Sequence, residues 1–371
     1  MSVTVEGSAH SISWHRPTSL RIFTPKKEGS DLNAHSPALA TPPARDWLQA
    51  LSAYREADAG RSILEIVITA VPLVGLWIAA WLAYSVSVWL TLAIAVPAAA
   101  FLVRLFLIQH DCGHGAFFRR KATNDWVGRV LGVFTMTPYD VWRRDHAVHH
   151  ATSGNLEKRG TGDIDTLTVR EYLALTPGQR LRYRLYRHPL VMFVVGPAYV
   201  FLVQNRLPTR ATWNGKEYWI SAMATNLAIG ALITAGIYFL GAGPFLWVHL
   251  PITLLAASIG VWMFYVQHQF EDTFWEHQES WKLQDAALFG SSHYDLPAPL
   301  RWVTANIGVH HVHHLYSKIP FYKLQDVLRD YPELSDIRKL TLRESFKCVG
   351  LNLWDEDKRQ LVRFEAVRVR A

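Results

Sequence analysis

Four uninterrupted apolar runs, at residues 64–82, 87–108, 219–240 and 245–266, constrain this chain more than any other feature. They are 19, 22, 22 and 22 residues long, and a bilayer core needs about 20 residues of helix. Only Glu65 and Arg104 carry charge within them, each near an end from which a long side chain can reach the headgroups. Half of all residues are hydrophobic and 19% are charged. The mean hydropathy is nonetheless only +0.05, so the remaining chain must be polar. Four runs of spanning length exclude a soluble protein with buried core helices. Backbone groups inside a bilayer must be satisfied internally, which makes each run a helix. The sequence predicts an all-α membrane protein with four transmembrane helices.

The connections 83–86 and 241–244 are short and lack Lys and Arg, so the spans pair into two hairpins. Seven basic residues precede the first run, 16 lie in 109–218 and 14 follow residue 266. Lys and Arg accumulate on the cytoplasmic side. The N-terminus, the central segment and the C-terminal segment are therefore expected in the cytoplasm, together forming a helical cap. The net charge of +7 then reports topology and gives no reason to invoke nucleic acid. Residues 1–45, rich in Ser, Thr and Pro, read as a mobile tail without a secretory signal pattern. The uncharged run 189–203 has only 15 residues with Gly196-Pro197 in its middle, and suits a helix lying in the membrane interface. Two cysteines, Cys112 and Cys348, exclude a disulfide framework and a four-cysteine zinc module.

The chain has 17 histidines, and nine of them fall in three short windows. These are His110-Asp-Cys-Gly-His114, His146-Ala-Val-His149-His150 and His310-His311-Val-His313-His314. A tenth, His268, sits two residues beyond the fourth run. All lie on the expected cytoplasmic side. Residues three and four apart share a helix face, so each window presents two or three imidazoles to one point. Imidazole suits Zn, Cu, Fe and Ni. About nine are too many for one ion and suit two. A zinc peptidase would need a glutamate beside the first histidine, and Asp111 stands there instead. A haem protein or metal transporter would place its ligands inside the spans. Two ions at a membrane edge point to redox chemistry on a lipid-soluble substrate.

The three boxes resemble those of the membrane-bound fatty acid desaturases. HDCGHGAFF, GDIDTLTVREYLAL, FYVQHQFEDTFW, GSSHYDLP and the NIGVHHVHHL segment are similar to the bacterial and cyanobacterial acyl-lipid Δ12 (ω-6) branch. The resemblance spans about residues 60–345 and implies a desaturase domain over 46–345, followed by a C-terminal tail, 346–371. It implies a non-haem di-iron centre with O2 as co-substrate. Its metal ligands would be His110, His114, His146, His149, His150, His268, His310, His313 and His314. His311 occupies a position usually held by a small apolar residue, and is read as a neighbour of the site. Asp111, Asp145, Asp163, Asp165 and Asp295 lie near the boxes or in the matching flanks, with no role assigned.

The implied activity is O2-dependent introduction of a cis double bond into a fatty acyl chain, in the membrane of a bacterium. Unactivated methylene C–H bonds are beyond side-chain acid–base chemistry, which leaves their cleavage to iron, O2 and two electrons. The sequence carries no nucleotide fingerprint, c-type haem site or fused cytochrome b5 signature. An external donor of ferredoxin or cytochrome b5 type is therefore expected. Arg119-Arg120-Lys121, Arg143-Arg144 and 180–187 are its candidate contacts, or those of anionic headgroups. A hydroxylase, acetylenase or ketolase would use the same boxes. A membrane metal carrier or sensor is the alternative of another class.

Overall fold

A computed structural model describes residues 46–207 and 215–367. The expected N-terminal tail, 1–45, lies outside the described residues. Four helices among those described are long and apolar enough to cross a bilayer: α1 (Ala59–Tyr84), α2 (Val88–His114), α4 (Lys216–Leu240) and α5 (Ala242–His268). A further helix, α3 (Tyr139–Thr152), and a short one, α6 (His310–Leu315), belong to the polar cap.

Each long helix exceeds its apolar run. The α2 helix continues six residues past Ile108, about 9 Å at 1.5 Å per residue. It stops where Gly115 adopts a left-handed φ of 67°, which costs a glycine little. The N–H of Gly115 returns to the Cys112 carbonyl, and that of Ala116 to the Asp111 carbonyl. His110 and His114 therefore ride on the rigid end of a membrane helix, one turn apart. The α5 helix likewise ends on His268 itself. Hydropathy marks the lipid boundary, whereas the backbone ladder runs on until a residue type stops it.

The α2 helix is central, with 56% of its apolar window buried against 22% for α1 and α4. In α1 the stripe Leu64, Val67, Val71, Val74, Ile78 and Leu82 is exposed, whereas Ser62, Glu65, Thr69, Leu73, Ala80 and Ala83 face inward. Small and polar residues inside, large apolar ones outside, is the pattern of helices packed in lipid.

The expectation for Glu65 and Arg104 is corrected. Neither reaches for headgroups; both are 1% exposed and pair with each other. Arg61 approaches the second Glu65 oxygen at 2.7 Å. Arg104 also donates to Thr69 Oγ1 at 3.1 Å and to the Trp302 carbonyl, and lies 4.2 Å from the Trp302 ring centroid. A hydropathy reading places a charge by its distance from the end of a run and cannot see a partner on another helix. The pair ties α1 and α2 to the cap segment that leads into α6.

The cap is helical with two small sheets. Strand β1 (Leu167–Thr168) pairs in parallel with β4 (Leu353–Asp355), which pairs antiparallel with β5 (Gln360–Val362). Strands β2 (His293–Asp295) and β3 (Lys339–Thr341) form a parallel pair. Residues 346–367, expected as a tail, are folded into this cap, with Leu353, Trp354 and Leu361 buried. Arg187 helps to hold them. It is 3% exposed and donates to the carbonyls of Leu351 and Asp165, to Gln269 Oε1 and to the Tyr265 hydroxyl. That corrects its expected place among surface contacts, since its donors face inward. Arg180 and Arg184 also bond within the cap, to the Leu173 carbonyl and the Tyr172 hydroxyl, while Arg184 stays exposed. Most of the run 189–203, expected to lie in the interface, belongs to Val191–Arg206, which meets Pro177–Tyr186 at 56°.

Removing one partner from a buried pair strands the other charge, at a cost of about 3–5 kcal/mol. Glu65→Ala is therefore expected to lower the thermal midpoint of the detergent-solubilised protein strongly. Arg61→Ala, at a half-exposed position, should cost less than about 1 kcal/mol. Size-exclusion profiles after graded heating measure both.

Candidate metal centre

The histidines arrive on four elements. His110 and His114 lie one turn apart at the end of α2, and His146, His149 and His150 line α3. His268 closes α5, and His310, His313 and His314 belong to α6. Local packing explains the residues between them. A Cβ on Gly113 would lie 2.7 Å from the Trp142 ring, so only glycine lets that indole approach. Trp142 stacks on His146 at 4.6 Å and stands edge-on to Phe106 at 5.4 Å. Tyr139, fully buried, donates to the Cys112 carbonyl at 2.8 Å and fixes α3 against α2.

The nine candidate ligands gather into two sets. His110, His114, His146, His150 and His313 form one; His149, His268, His310 and His314 form the other. Within each set the potential ligand nitrogens lie within 4.8 Å of one another, and each set could hold a metal ion. In the first, Nε2 of His146 faces Nε2 of His110 at 3.0 Å and of His150 at 3.1 Å, while His313 faces His150 at 3.1 Å. In the second, Nε2 of His268 lies 3.2 Å from His149 and 3.0 Å from His310.

Hydrogen bonding decides what these approaches mean. His149 Nδ1 donates to Asp163 Oδ1 at 2.5 Å, and His268 Nδ1 to the Gly290 carbonyl at 3.1 Å. In the neutral form each ring has one N–H, spent at Nδ1, which leaves a lone pair on each facing Nε2 atom. Two lone pairs 3.2 Å apart repel unless a cation lies between them. His114 Nε2, His314 Nε2 and His310 Nδ1 are buried without a hydrogen-bond partner among the described residues. Burial, reinforced by neighbouring imidazoles, holds His146, His150, His310, His313 and His314 well below the ordinary histidine range. They are neutral, with lone pairs free for a metal. The donor set therefore fits bound cations.

His311 lies outside both sets. Its Nε2 donates to the Leu334 carbonyl at 2.9 Å, and burial pushes its pKa down to about 3. Among the aspartates, Asp163 meets His149, while Asp111 accepts the Phe321 N–H at 2.7 Å with its other oxygen 3.4 Å from His110 Nδ1. Asp295 faces Lys339 instead. Trp142 and Gly113 were missed in the sequence. The four-residue step from Trp142 to His146 was the available signal for the first; glycine inside a box gave none.

These boxes fall within the part of the chain, residues 87–346, that matches the fatty acid desaturase family. The chain belongs to that family. This desaturase is 46% identical over 318 residues to a fatty acid desaturase of Bacillus subtilis (strain 168), covering 86% of this chain and 90% of that one. It is 29% identical over 250 residues to an sn-1 acyl-lipid omega-3 desaturase (ferredoxin) of Synechocystis, covering 62% and 66%. An sn-1 oleoyl-lipid 12-desaturase of Arthrospira platensis is 25% identical over 325 residues, covering 81% and 82%. The enzyme is thus a fatty acid desaturase with membrane-spanning helices and histidine clusters able to hold metal.

Gly113→Ala should cost about 1–3 kcal/mol, as overpacking does, through its clash with Trp142. Adding Trp142→Leu should recover part of that loss. A double-mutant cycle on thermal stability checks the coupling.

Proposed function

We propose that this desaturase introduces a cis double bond into the acyl chain of a membrane lipid, at a Δ12 (ω-6)-like position, using a di-iron centre. One iron would be held by His110, His114, His146, His150 and His313. The other would be held by His149, His268, His310 and His314. The observation that carries this reading is the gathering of nine histidines into two sets, each with its ligand nitrogens within 4.8 Å of one another. When bound, the irons would supply reduction of O2 and abstraction of two hydrogens from adjacent methylenes.

The chain's own residues do the rest. Asp163 and the Gly290 carbonyl fix the tautomers of His149 and His268. Partners of this kind orient metal-binding imidazoles and raise their basicity. Trp142 braces His146 from the α2 side. The Glu65–Arg104–Trp302 contact registers the spans against α6, so the acyl chain and the histidines share one rigid frame. Converting two methylenes to an alkene with O2 takes two electrons and two protons and releases two waters. An external ferredoxin or cytochrome b5-type donor would supply the electrons, a reading supported by the ferredoxin named for the Synechocystis and Nostoc relatives. The lipid-linked substrate draws support from the same relatives, and the Δ12 position from the Arthrospira one. The basic residues flanking the spans support a bacterial inner-membrane location with both termini cytoplasmic.

Expression in a bacterium lacking polyunsaturated lipids should yield a new diunsaturated acyl chain, read by mass spectrometry of fatty acid methyl esters. His149→Ala should reduce that product below detection while membrane insertion persists. A host that makes no new double bond with the wild-type chain would overturn the reading. A double bond elsewhere on the chain would correct the position alone.

A further inference from the structure

We infer that the electron donor docks on the surface where α2 ends against the loop after α6, and that its electrons enter beside His114. This rests on the desaturase reading above and chooses among its three candidate basic clusters. Two of those clusters are engaged within the protein. Arg143 pairs with Asp125 at 2.7 Å and Asp140 at 3.6 Å, and Arg144 lies over the Tyr218 ring. Arg180 and Arg184 donate to the Leu173 carbonyl and the Tyr172 hydroxyl, and Arg187 donates to the cap interior.

In the third cluster Lys121 pairs with Asp125, but its neighbour Arg120 is left with its charge open. Arg120 and Lys318 are exposed and form no ion pair among the described residues. The Lys318 ammonium lies over the exposed Gly115, 3.9 Å from where a Cβ would stand. Gly115 directly follows His114, and Lys318 is four residues beyond His314. The same surface continues through Arg119, which reaches the Ala57 carbonyl at 3.3 Å, and Lys323, which reaches the Glu56 carbonyl at 2.6 Å. Arg55 lies beside it, near Tyr316. Both Arg119 and Lys323 bond to carbonyls, so their charge is not cancelled there; Glu56 is the acid near Arg55 and Arg119.

This gives a positive surface beside a candidate metal-binding histidine, for His114 is only partly buried and the next residue is an exposed glycine. The partner it fits is a small, acidic, one-electron carrier with its redox group near its own surface. Each reduced carrier would be oxidised by one electron, and two successive encounters supply the two electrons that desaturation consumes. Complementary charge of this kind speeds encounter and fixes orientation, and it weakens as salt rises.

The test uses the full chain in nanodiscs of neutral phosphatidylcholine, with a small acidic [2Fe–2S] ferredoxin as probe. Affinity is measured at low and raised salt. The double variant Arg120→Glu with Lys318→Glu should bind ferredoxin about tenfold or more weakly than wild type and lose most of the salt dependence. Its metal content should match that of wild type. Lys347→Glu, an exposed charge on the C-terminal segment, should bind as wild type does. Unchanged affinity in the double variant, or an equal loss in Lys347→Glu, overturns the inference. Product formation by wild type with dithionite is scored separately, so failure of the desaturase reading is distinguishable from failure of the docking surface.

Discussion

Nine imidazoles packed at one end of a membrane protein are, in their neutral form, unstable company for each other unless something positive lies among them. Their rings meet nitrogen to nitrogen, and at His149 and His268 the opposite nitrogens are already committed as donors. Lone pairs then point at lone pairs. Burial makes protonation an expensive escape, because it would place charges together in a low-dielectric site. Bound cations remove the conflict at once. The rest of the fold serves to bring these rings together.

That service is mechanical. Two of the four histidine-bearing elements are ends of long membrane helices, and a helix end held by its backbone ladder places a side chain more firmly than a loop does. The α2 helix is the axis, buried along more of its length than the other three spans. The Glu65–Arg104 pair sits on that axis and reaches across to Trp302, on the way to α6. A buried ion pair is weak evidence for net stability, but it is strict about register. Here it sets the relation between the membrane helices and the cap, and so between a lipid chain and the histidines.

Much of this was legible in the sequence, and what was not has physical reasons. The spans were visible because lipid demands about 20 apolar residues in a row. The histidine boxes were visible because the three- and four-residue spacing reports a shared helix face. Their division into sets of five and four was not visible, since it depends on how α3 and α6 cross. One turn of α3 sends His146 and His150 to the first set and His149 to the second. Arg104 was misplaced because its partner lies 39 residues away and its third contact nearly 200. The C-terminal segment was read as a tail because strands of three residues are too short to show a period. Arg187 looked like one more surface charge in a basic run, while its acceptors come from separate parts of the cap.

The most direct test is the metal content of the purified chain after iron loading, measured by elemental mass spectrometry together with protein concentration. Two separate sets of imidazoles predict about two irons per chain in wild type. They also predict loss of about one when His268, which belongs to the second set alone, is replaced by alanine. A wild-type chain that holds no iron, or one that keeps both irons without His268, would contradict the account.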